Sequence, residues 1–174
     1  VYKRQIGLTA EELSRLELAA DRSGVKIRSL QNGVRRLSRN MFSVAQGTKG
    51  EAAKAFDTLG ISVTDAEGRL KTARAVIDEV ADKFAEMPDG VEKTALAAAI
   101  FGAENARMVN ILNAGSAGLA AFGDEADKLG RTINTNTAVA SERFNDNIDR
   151  LKDALGGLFN RLGDSVIPIL AKYT

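Results

Sequence analysis

The chain has 174 residues, 44% hydrophobic and 27% charged with a formal net charge of +1, a composition that excludes wholesale disorder and allows a real core. His, Cys and Trp are all absent, which removes Cys/His zinc sites, haem and iron–sulfur ligation, disulfides, thiol nucleophiles and every His-dependent triad. Aromatic residues make up 5% and prolines number 2, so long Ala- and Leu-rich helices are favoured over a β-sandwich.

The chain opens on Val1-Tyr2-Lys3-Arg4 and closes on the apolar run Val166-Ile167-Pro168-Ile169-Leu170, which reads as a helix start cut short, so a piece of a longer protein is expected. Its longest uncharged stretch, Met108 to Gly123, is too short and too rich in Asn, Ser and Gly to span a bilayer, and no signal-peptide pattern precedes it, so a soluble piece is expected. Residues 1–54 carry 11 Lys/Arg against 5 Asp/Glu, and residues 55–174 carry 13 against 18. The near-neutral total therefore hides a basic front and an acidic back.

Thr9-Ala10-Glu11-Glu12 fits a capping box and predicts a helix running to Ser23-Gly24, with Leu13, Leu16 and Ala20 on one side. Ile27, Leu30, Val34, Leu37, Met41 and Val44 alternate spacings of three and four, a seam that predicts a second helix packed on a partner. After the loop Gln46–Gly50, a short helix from Glu51 to Leu59 is closed by Gly60. The period then drops to two: Ile61-Ser62-Val63, a turn at Thr64–Gly68 and Arg69-Leu70-Lys71 predict a small β-hairpin. The helical period returns from Ala73 to Phe84, ends before Pro88, and resumes with Asp89 as the expected N-cap of a helix ending at Phe101-Gly102. Helices are predicted over Glu104–Leu112 and Ser116–Leu129.

From about Thr137, the residues Phe144, Ile148, Leu151, Leu155, Leu158 and Leu162 alternate four and three over nearly three heptads. Burial of each large apolar side chain stabilises by roughly 1.5–3 kcal/mol, so this seam needs cover, from within the chain or from another copy. It is the candidate self-association site. The expected fold is all-α, multi-helix and partly elongated, with one small β-hairpin near 61–71. Three parts are expected: a basic helical hairpin at 1–46, a helical module with the hairpin at 47–130, and a long, truncated helix at 131–174.

No residue group predicts catalysis, cofactor or metal binding, or a small-molecule substrate. Asp78, Asp82 and Glu86 line one face of a helix whose opposite face is apolar, so they read as its solvated side. Asp65-Ala66-Glu67-Gly68 lacks the alternating oxygen ligands of a calcium loop, and Gly47-Thr48-Lys49-Gly50 lacks the ending of a phosphate-binding P-loop. The front imitates a DNA-binding helix-turn-helix over 13–39: Ala20, Gly24-Val25 and Leu30 fall at the right spacing, and Lys26, Arg28 and Gln31 are potential base readers, with Arg35, Arg36 and Arg39 behind them. The seam continuing through Val44 makes that helix longer than a usual recognition helix, so sequence-specific DNA binding is not expected. A nucleic-acid-binding or regulatory module of a mobile element is the alternative reading.

Two long blocks carry a resemblance. The first runs from Gly7-Leu8-Thr9-Ala10-Glu11-Glu12-Leu13 through Leu18-Ala19-Ala20 and Ser23-Gly24-Val25 to Gly50–Phe56 and Leu59-Gly60-Ile61. The second runs from Asp65–Leu70 through Asp82–Met87, Asp89–Ala97 and Ile100-Phe101-Gly102 to Ile111–Gly115. Over about residues 5–170 the chain resembles the phage tail tape-measure protein. The resemblance implies a very long, mostly helical ruler and scaffold that sets tail length, fills the lumen of the tail tube and leaves ahead of the genome on infection. It implies tail-tube subunits and tail-assembly chaperones as partners, and residence in the host cytoplasm during assembly and then in the virion tail lumen. Some relatives carry peptidoglycan-cleaving domains, and nothing in this stretch matches them.

Overall fold

A computed structural model describes residues 7–133. Thr9 makes the capping box: its Oγ1 accepts from the Glu12 amide at 3.1 Å and its amide donates to Glu12 Oε2 at 2.7 Å, satisfying donors that a helix start leaves free. Helix α1 (Ala10–Arg22) ends at Ser23. Gly24 then takes φ +66°, so that the Val25 amide reaches the Ala20 carbonyl at 2.8 Å while the Val25 side chain is buried, the closure that left-handed glycine permits.

Helix α2 (Ile27–Ala45) is the spine of the module. Leu30, Val34, Leu37 and Met41 are each at most 1% exposed. α2 touches α1, but its main cover is α5 (Val91–Phe101) and the 3₁₀ segment Ala103–Met108, while α1 packs chiefly on α7 (Gly115–Lys128). At Gly33 the approach is close: a Cβ would lie 3.2 Å from Met108 Cγ and 3.5 Å from Asn105 Cβ. Asn40 secures the same interface by donating from Nδ2 to the carbonyls of Ala99 at 3.1 Å and Ile100 at 2.8 Å. Those carbonyls belong to the last turn of α5, which has no helical donors of its own to meet. Asn105 does the same for the Phe101 carbonyl at 3.0 Å.

Helix α3 (Glu51–Leu59) ends at Gly60, φ +67°, and packs Phe56 inward against α5. Helix α4 (Ala73–Glu86) is capped by Thr72, whose Oγ1 accepts from the Ala75 amide at 3.2 Å. Its dry face, Val76, Ile77, Val80, Ala81 and Phe84, meets α7 and the short α6 (Val109–Leu112). The predicted Glu104–Leu112 helix is thus split into the 3₁₀ segment and α6.

Two expectations need correction. The β-hairpin near 61–71 does not form, and no strand occurs among the described residues. In its place a turn is closed by one isolated antiparallel bridge, Thr64 to Leu70, with the Lys71 amide donating to Val63 at 2.9 Å. Ile61 and Val63 do point into the core, at 6% and 5% exposure, but Leu70 is 44% exposed, so the return arm has no buried side to hold a ladder. Asp89 is likewise not the cap of α5. Gly90 takes that position without a side-chain bond, and Asp89 pairs with Lys93, whose buried Nζ also donates to the Met87 carbonyl at 2.9 Å.

No helix among the described residues is long and apolar enough to cross a membrane. Because Gly33 sits at the tightest point of the spine, Gly33→Leu should destabilise the protein by about 1–3 kcal/mol through overpacking, and Leu30→Ala by about 2–5 kcal/mol through a cavity. Urea unfolding followed by circular dichroism measures both, and a neutral Gly33→Leu would mean that α2 and the 3₁₀ segment are not in close contact.

Candidate interaction surfaces

Most charged side chains of the module are already engaged by neighbours. In the acidic row of α4, Asp78 pairs with Arg74 at 2.9 Å and Asp82 Oδ1 accepts from the Ser116 amide at 2.7 Å at the start of α7, leaving Glu86 exposed. Two of its three members are thus engaged within the fold, and no cluster among the described residues could hold a metal ion. Asp65 closes its own turn, accepting from the Arg69 amide at 2.8 Å and the Glu67 amide at 3.1 Å. Thr48 and Gly50 line a cleft of about 260 Å³ with Arg36, Asn40 and Ser43, but Glu51 lines it too, placing negative charge where an anion would enter.

The two ends of the described module meet between α1 and α7. Arg15 grips Asp127 with two bonds, Nε to Oδ1 at 3.2 Å and Nη2 to Oδ2 at 2.8 Å, the planar fork that suits guanidinium to carboxylate. Arg22 pairs with Glu125, Arg131 with Asp21 at 3.3 Å, and Ser14 Oγ accepts from the Ile133 amide at 3.0 Å. Gly123 allows this contact, since a Cβ there would lie 3.4 Å from Arg15 Cδ. Nothing in the sequence pattern announced the pairing, because its partners stand more than a hundred positions apart.

Unengaged basic side chains, which also include Lys54, Lys83, Arg107 and Lys128, gather most densely on the outer side of α2. The helix holds Arg28, Arg35, Arg36 and Arg39 and no Asp or Glu. Arg28, Arg36 and Arg39 are exposed and Arg35 is half-buried. None of the four makes an ion pair or hydrogen bond among the described residues, and the Arg35 Nε is shut off from solvent without an acceptor. Of the predicted base readers, Lys26 and Arg28 are exposed and Gln31 is half-buried. At the turn between α1 and α2, Val25 and Leu30 are buried. The candidate self-association seam, Phe144, Ile148, Leu151, Leu155, Leu158 and Leu162, lies outside the described residues.

The sequence places this helical module in a family. Residues 3–102 match the family of phage-related minor tail proteins, and the chain belongs to that family. No curated protein and no solved structure matches it.

Four carboxyls are held below the usual value of 3.8, among them Asp127, chiefly by the hydrogen bond from Thr132 with Arg15 adding to it, and Asp82, by the hydrogen bonds from Ser116; the others are Asp65 and Asp89. A depressed value in the folded state favours folding fully above the unfolded value, and this contribution is lost as the pH falls through the folded one. Asp127→Asn should therefore melt below the wild type at neutral pH, with the gap closing between about pH 5 and about pH 2. Thermal melts across that range test it; a gap independent of pH would show that the charge of Asp127 contributes nothing.

Proposed function

We propose that the chain is a segment of a tape-measure protein, a structural and assembly component that sets tail length, fills the tail-tube lumen and is released ahead of the genome on infection. The observation that carries this reading is the family match over residues 3–102, supported by the order of the two resembling blocks and by an all-helical module whose polar groups serve caps and ion pairs. The segment has no enzymatic activity and takes no cofactor or small-molecule substrate. Its partners are tail-tube subunits and tail-assembly chaperones, and it resides in the host cytoplasm during assembly before it enters the tail lumen.

The ruler is tested in the phage that encodes the chain. In-frame duplication of residues 144–162 should lengthen the tail by about 1.5 Å for each helical residue added, measured on negatively stained particles. Normal particles with unchanged tails would make this a tail component that measures nothing.

The heptad seam supplies self-association between copies. Changing Leu151 and Leu155 together to Ser should lower the oligomeric state in light scattering while the helices before residue 130 remain folded by circular dichroism. A parent chain that is always monomeric would remove the seam from the assembly role.

A further inference from the structure

We propose that the outer face of α2 is a binding site for the phosphate backbone of duplex DNA. The site is Arg28, Asn32, Arg35 and Arg39, which recur at spacings of four, three and four along one side of the helix, with Arg36 flanking them. This proposal stands apart from the tail reading and does not rest on it.

The first argument is that among the described residues these charges have no carboxylate partner. Arg15, Arg22, Arg69, Arg74 and Arg131 each have a carboxylate partner within 3.3 Å, whereas the four arginines of α2, like the isolated Arg107, have none among the described residues, and the four are set along one helix. Arg35 and Arg39 stand four apart, a like-charge spacing that weakens a helix. An external anion lying along the exposed guanidinium groups reverses that repulsion.

The second argument concerns the shape of the charge. From Arg28 to Arg39 the helix advances about 16 Å, and over such a length duplex DNA carries about nine phosphate charges. The turn at Ser23–Lys26 leaves the first turn of α2 open, with Lys26, Arg28 and Asn32 exposed.

The third argument separates DNA from an acidic protein. A protein interface buries an apolar, charge-poor centre. On α2 the order is reversed: the middle of the exposed face is Arg and Asn, and the exposed apolar residues, Ile27 at 44% and Phe42 at 59%, stand at its two ends. A polar, strongly positive centre is the composition of a nucleic-acid interface.

The test uses the whole chain and a fluorescently labelled duplex of arbitrary sequence, with anisotropy read from about 50 to about 200 mM salt. Affinity should fall with salt along a log–log slope of about −3, as neutralising three to four phosphates requires. Arg28→Gln with Arg39→Gln, two exposed positions whose loss leaves the core intact, should weaken binding about tenfold or more at low salt and flatten the slope by about 2. A control with the same charge loss, Arg22→Gln with Arg69→Gln, should bind as the parent does.

Several results would overturn the proposal. Absence of binding at the lowest salt is one, and an equal loss in the control, which would reduce the effect to net charge, is another. Displacement of the duplex by polyglutamate as readily as by unlabelled DNA would assign the face to an acidic protein instead. If the double variant melts below the parent, Arg35→Gln alone decides by the same two readouts.

Discussion

Helix α2 must be dry along one side, and the rest of the described module is arranged to meet that demand. Taken alone it is a poor helix: Lys26 offers no side-chain cap and the first turn holds no acidic residue. The missing cap forgoes about 1 kcal/mol, and like charges four apart cost a few tenths more. Against this, Leu30, Val34, Leu37 and Met41 are almost wholly buried, each contributing about 1.5–3 kcal/mol. Burial decides, so α2 exists because α5 and the 3₁₀ segment cover it.

That cover brings helix ends into the interior, and the polar groups there have to be met. Asn40 reaches the last carbonyls of α5, Asn105 takes the Phe101 carbonyl, and the Lys93 ammonium lies against the Met87 carbonyl and Asp89 at the other end of the same helix. These side chains look like surface residues in a sequence. In the fold the two asparagines complete the backbone bonding at the end of α5, and Lys93 meets the carbonyl that follows α4.

Helix limits were legible where one residue sets them: the Thr9 capping box, Gly24, Gly60 and Gly102 all act at the expected places, while the Thr72 cap of α4 emerged only in the structure. What covers each face was not, because periodicity marks a dry side without naming its partner. Thus the seam of α2 pointed to a partner helix but not to α5. The alternation at Ile61-Ser62-Val63 is real, with both apolar residues inside, yet it records packing on the core rather than pairing with a strand. Asp89 had cap chemistry, but a buried ammonium four residues on draws its carboxylate away from the helix start. The basic front was plain from counting charges; that Arg15 and Arg22 are paired while the α2 arginines have no partner among the described residues required the fold.

The closure between α1 and α7 has a mechanical consequence. Ser14 and Ile133, 119 positions apart, are joined by a hydrogen bond, and Arg15–Asp127 and Asp21–Arg131 stand beside them. A pull applied at Ser14 and Ile133 therefore loads this polar seam directly. While the seam holds, the module contributes only the short distance between its ends. Once it parts and the helices unravel, the same stretch can pay out close to 400 Å of chain at about 3.3–3.6 Å per residue, so the module is a folded store of slack with a polar latch.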